Sequence, residues 1–149
     1  MKKNRVLLLI ISVIVLVLEI LPCGAVCNFA NPDGEPIKTT YSYFDLTPFG
    51  YANFGPFITA ILTCILVILS IVYLLNLNKN FTRIMSIISG VSVLSSILPI
   101  MYGASYISVV GVIITILLVS YFLVIVSTNK VKWISNLSKL TLLLVVWGL

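Results

Sequence analysis

The chain has 149 residues, of which 60% are apolar and only 9% charged. A soluble domain of this size carries roughly 25% charged residues, so the charge here is too sparse to cover a water-facing surface, and the bilayer is the natural solvent. The formal charge of +5 does not point to nucleic acid. The basic residues flank apolar segments in short clusters and do not line a groove with stacking aromatics. Histidine is absent, which removes the commonest general base and the commonest transition-metal ligand. The sequence therefore predicts no catalytic set, no metal site and no cofactor.

Residues 1–5 are a basic N-terminus, and a first transmembrane helix is expected over 6–22. Its Val6–Leu21 run covers roughly 24 Å at 1.5 Å per residue, slightly short of a bilayer core. Pro22 ends it, because proline supplies no N–H and disfavours helical geometry at the residue before it. The same run could be read as a signal peptide. It is long for that role, no A-x-A pattern follows it, and proline precedes Cys23, so an uncleaved anchor is the expectation.

Residues 23–56 form the one sizeable polar stretch, expected outside the cytoplasm. Asn31-Pro32-Asp33-Gly34 has tight-turn chemistry and lies between Ala25–Ala30 and Pro36–Phe44, which suits a small β-hairpin. Rings then gather at Tyr41, Tyr43, Phe44, Phe49, Tyr51, Phe54 and Phe57. Such rings favour the headgroup level, so the loop is expected to lie on the membrane.

A second span is expected over 57–75, a connection over 76–83, a third span over 84–101 ending at Pro99, a turn over 102–106 and a fourth span over 107–127. Residues 128–149 read as a membrane-associated helix, basic over Val131–Lys139 and apolar over Thr141–Leu149. An interfacial helix is favoured over a short fifth span holding Lys139 in the membrane. With four spans, Lys2, Lys3, Arg5, Lys79, Arg83, Lys130, Lys132 and Lys139 share one side, and only Lys38 lies on the other. The positive-inside rule names the first side cytoplasmic. A parallel repeat is suggested by Ile20-Leu21-Pro22 before Gly24-Ala25 and Ile97-Leu98-Pro99 before Gly103-Ala104.

Glu19 is the only carboxylate within a span, and an intramembrane ionisable group is a functional candidate by default. Against that stands its place about one turn from the outer end, where snorkelling or a hydrogen bond to the bundle would satisfy it. Ser89, Ser92 and Ser96 share a face of span three, as small residues do where membrane helices approach closely; a polar path is the alternative. Span one lacks such a stripe apart from Ser12, so spans two to four are expected to form the tight core, with span one peripheral. Cys23 and Cys27 could form a disulfide if the chain turns after Pro22. Cys64 lies at membrane depth. The loop residues Tyr41, Tyr43, Phe44, Asp45, Phe49, Tyr51 and Phe54 form a candidate interaction surface.

The stretches Ile20-Leu21-Pro22-Cys23-Gly24-Ala25-Val26, Asn28–Pro36 and Tyr43–Phe54 resemble a group of uncharacterised small bacterial multi-pass membrane proteins. That resemblance implies the bacterial inner membrane and no activity. The plan also resembles claudins in topology alone, since their tryptophan-containing loop signature with its cysteine pair is missing. The expectation is an all-α four-helix transmembrane bundle with an outer loop, acting as a non-enzymatic interaction, accessory or envelope component. It would contact lipid and another membrane protein or a second copy of itself, and no nucleic acid. A small transporter or channel component, using Glu19 and the serine face, is the rival.

Overall fold

The computed structural model describes residues 2–32, 34–75 and 81–146, with side chains over 3–32, 34–75 and 81–129. Asp33 of the turn, the Lys79 segment and the side chains that would separate an interfacial helix from a fifth span lie outside that set.

Helix α1 (Lys2–Ile20) stops just before Pro22, where the chain turns into strand β1 (Ala25–Phe29). Strand β2 (Ile37–Tyr41) pairs antiparallel with β1, Ala25 opposite Tyr41 and Phe29 opposite Ile37. A five-residue helix α2 (Leu46–Gly50) follows, then α3 (Gly55–Leu74) and α4 (Phe81–Met101). A 3₁₀ turn (Ala104–Tyr106) leads into α5 (Val109–Val146). Among the described residues, three helical stretches are long and apolar enough to cross a membrane: Gly55–Leu74, Phe81–Met101 and Val109–Asn129. Helix α1 is shorter in its apolar part, because Lys2, Lys3, Arg5 and Glu19 occupy its ends.

The long helices pack with α1 against α3 and α5, and α4 against α3 and α5. Their inward faces repeat at about 3.5 residues. Helix α3 buries Ala60, Thr63, Leu66, Ser70 and Tyr73, and α5 buries Ile114, Leu118, Tyr121 and Ile125. That spacing lets side chains of one helix sit between those of its neighbour. Helix α4 turns the pattern of a water-soluble helix inside out: Ser89, Ser92 and Ser96 are buried while Ile87, Val91 and Leu94 are exposed. Leucine gains little by touching leucine in lipid, so small hydroxyl residues take the contact and aliphatic chains face outward.

Helix α1 is not peripheral. Leu8, Ser12, Val15 and Glu19 are all buried, against α3 on one side and α5 on the other. At the basic end, the Asn4 amide donates to Thr128 Oγ1 at 3.3 Å, and the Arg5 guanidinium stands 4.8 Å from the Tyr73 ring centre. The Asn129 amide donates to the Thr82 carbonyl at 3.2 Å, and Ser70 and Tyr121 share a 2.9 Å hydrogen bond. A small-residue criterion misses α1 because Leu8 and Val15 fit between neighbours without needing close backbone approach.

Pro99 does not end α4, which runs on to Met101. Proline removes the bond that its N–H would make to the Ser95 carbonyl, four residues back. That carbonyl is where α3 comes closest: a Cβ on Gly55 would lie 2.7 Å from it. Beside it, the Thr59 and Ser95 hydroxyls meet at 2.7 Å, and Thr59 also donates to the Gly55 carbonyl. The repeat suggested by the two Ile-Leu-Pro motifs therefore takes two conformations, a helix end at Pro22 and a continuing helix at Pro99. Helix α5 is continuous over 38 residues, with no break at residue 128. No proline occurs in it, and its one glycine is Gly111, near its start.

Candidate functional site

The polar groups of interest gather where the segment between α1 and α3 folds over the helix ends. Glu19 lies one residue from the end of α1 and is fully buried. Its Oε1 accepts a hydrogen bond from Thr63 Oγ1 at 2.9 Å, while Oε2 has no partner among the described residues. The chain returns above it, and the Tyr43 N–H donates to the Glu19 carbonyl at 2.9 Å. Glu19 therefore does not snorkel; it joins α1 to α3.

Ser89, Ser92 and Ser96 share one buried face, but each hydroxyl donates within α4, to the carbonyls of Ser86, Ile88 and Val93. None bonds to Glu19. Ser95, which the spacing argument passes over, makes the contact across to α3. The face is a packing surface.

The aromatic residues divide. Tyr41 is half-buried in β2, and Phe44, Phe49, Tyr51 and Phe54 are exposed. Phe49 meets Phe54 and Phe57 edge to face at 4.8 and 5.4 Å, and Tyr51 meets Phe29 at 5.0 Å. Tyr43 leaves this surface and is only 2% exposed. Its ring lies over Gly24, where a Cβ would come within 2.9 Å of it, and its hydroxyl reaches Gly111 of α5. Burial, followed by the neighbouring Glu19 carboxylate, holds the Tyr43 phenol above its ordinary range, so it remains a donor.

Asp45 caps α2, accepting from the Thr47 N–H at 2.8 Å. Asp45 followed by Pro48 is a helix-start signal that marks α2 in the sequence. Those hydrogen bonds hold its carboxyl below the usual carboxylate range. The charged form is thus favoured by folding, and its contribution is complete above the ordinary aspartate value, about 4, and lost as pH falls through the folded value. The protection of the Thr47 amide, taken relative to its intrinsic exchange rate at each pH, is expected to fall on acidification in the native chain and to lose that pH dependence in Asp45→Asn.

The three cysteines are free thiols. Cys27 lies within β1, and Cys23 precedes it in the turn after α1. Burial, then the Asp45 carboxylate, pushes the Cys27 thiol up, which suppresses thiolate reactivity.

Ala52 has φ 64°, a left-handed conformation that costs a non-glycine residue roughly 1–2 kcal/mol. Ala52→Gly is expected to raise stability by about 0.5–1 kcal/mol, read from thermal unfolding in detergent. Next to it, Asn53 is 3% exposed, and neither side-chain polar atom has a partner among the described residues.

Beneath β1 a cavity of about 120 Å³ opens between α4 and α5, lined in part by Tyr43, Ser96, Ile100, Gly111, Val112 and Ile116. Ser108 forms its upper edge. Its Oγ accepts from the Gly111 N–H at 2.8 Å, capping α5, and donates to the Gly24 carbonyl.

No known protein family, curated protein or solved structure matches the chain. Among the described residues no three His, Cys, Asp or Glu side chains lie together as metal ligands would. What the arrangement can do is hold two helices through a buried carboxyl, present rings outward, and enclose an apolar space under a tyrosine hydroxyl.

Proposed function

We propose that the chain is a four-helix transmembrane bundle of the cell membrane, N-terminus inside, which serves as a non-enzymatic interaction or accessory component. Helix α1 supplies the fourth crossing, with Arg5 and its neighbours at the inner surface. The observation that carries this reading is the outer cap. Phe44, Leu46, Phe49, Tyr51 and Phe54 are exposed on a surface built from one turn-and-a-half of helix and two short strands. A contiguous apolar patch of this kind marks contact with another protein or with lipid, and Tyr and Phe are favoured at the centre of such contacts. The partner is another membrane protein or a second copy of the chain.

Co-purification in mild detergent is the test. A defined partner or homo-oligomer is expected, and Phe49→Ala with Tyr51→Ser should release it while the helices stay folded. A monomer under all conditions, unaffected by those changes, would overturn the reading. The bacterial inner membrane is the location proposed, following the resemblance of the first half of the chain.

A second reading, a small transporter component, rests on the buried Glu19 carboxyl and its unpartnered oxygen. The serines of α4 do not extend it, since their hydroxyls are engaged within their own helix. Flux in liposomes that disappears in Glu19→Gln would support transport; flux that is absent or unaltered removes it.

A further inference from the structure

We propose that the cavity between α4 and α5 binds one acyl chain of an outer-leaflet phospholipid, with the Tyr43 hydroxyl donating a hydrogen bond to its ester carbonyl. This goes beyond the interaction role of the cap, and its choice of leaflet rests on the orientation proposed above. The direction of the mouth argues for a membrane occupant. Ile100, Val112 and Ile116 line the cavity and are also 42–59% exposed on helices that can cross a membrane. On this side the opening faces the lipid that such helices would meet.

The lining argues for an uncharged chain. No ionisable side chain other than tyrosine contributes to the wall. The hydroxyls of Ser96, Ser108 and Thr115 already donate to the carbonyls of Val93, Gly24 and Gly111. Tyr43 differs: the residue is 2% exposed and lines the cavity, and its hydroxyl makes no hydrogen bond among the described residues. A hydroxyl that opens into an apolar space without an acceptor forgoes a hydrogen bond. An ester carbonyl at the headgroup boundary supplies that acceptor, while the chain below it fills the apolar space. Ser108 and Thr115 lie about 10 Å apart along α5 at 1.5 Å per residue, so the cavity follows the chain direction of a lipid.

The full-length protein is reconstituted in phosphatidylethanolamine and phosphatidylglycerol vesicles doped with a phospholipid bearing a diazirine in one acyl chain. After irradiation, adducts are mapped by peptide mass spectrometry. A saturable adduct on Val112, Thr115 or Ile116, near one per chain, is expected. Thr115→Phe, which fills the cavity, should lower it about tenfold, whereas Leu123→Phe on the exposed face should leave it unchanged. Tyr43→Phe removes one oxygen and keeps the ring on Gly24, and should lower occupancy about threefold with an unchanged circular dichroism spectrum. Adducts spread evenly over exposed residues such as Ile87 and Leu123 would overturn the proposal. So would adducts that neither Thr115→Phe nor Tyr43→Phe reduces.

Discussion

Gly55→Val is expected to destabilise the protein by about 3 kcal/mol and to separate the start of α3 from the end of α4. A Cβ at this position would stand 2.7 Å from the Ser95 carbonyl, 3.0 Å from Leu98 Cβ and 3.1 Å from Pro99 Cδ. Two of those neighbours are backbone or ring atoms that cannot rotate away. The helices must part, and the 2.7 Å contact between Thr59 and Ser95 is lost with them. Gly50→Ala is the control. Nothing lies within 4 Å of a Cβ there, and the change is expected to stay within about 0.5 kcal/mol. Unfolding in detergent mixtures, followed by circular dichroism, measures both. Equal stability of the two variants would refute the close approach of α3 to α4.

Thr63→Val is expected to cost about 1–3 kcal/mol. Valine matches threonine in shape, so the packing of α3 barely changes and the loss is that of one hydroxyl. That hydroxyl is the donor to Glu19 Oε1, and Oε2 already lacks a partner among the described residues. Without it a buried carboxyl keeps neither hydrogen bond. Adding Glu19→Leu should bring the doubly substituted protein back to within about 1 kcal/mol of the native one, since replacing both members of a buried polar pair by apolar groups is close to neutral. A cycle of the four proteins isolates the coupling. Strictly additive losses would mean that Thr63 does not hold Glu19.

The three long apolar helices were legible because each is a stretch of about twenty residues dominated by Leu, Ile and Val and nearly free of charge, and no tertiary contact is needed to decide that such a stretch is helical in lipid. Glu19 was legible as the lone carboxylate in a span, although its direction was not. Whether it reaches toward headgroups or toward Thr63 depends on how α1 is rotated, and α1 offers no small-residue stripe to fix that rotation. Tyr43 could not be told from the rings around it. What draws it inward is the pair Gly24 and Gly111, brought together only when β1 lies across the start of α5. The serines of α4 share a buried face, as their spacing suggests. The one that reaches across is Ser95, next to the carbonyl that Pro99 leaves unbonded, and helical periodicity carries no information about that.

The hydrogen bond from Ser108 to the Gly24 carbonyl joins positions 84 residues apart. A ribosome adding about 5–20 residues per second needs roughly 4 to 17 s to make the later one after the earlier. During that interval β1 and β2 have emerged, but the helix they rest on has not been synthesised. Long-range closure of this kind slows folding, and Tyr43 stays unshielded until α5 is inserted. Nascent chains halted before residue 108 should therefore expose the Tyr43 region to proteases, and α5 acts as the latch that closes this end of the fold.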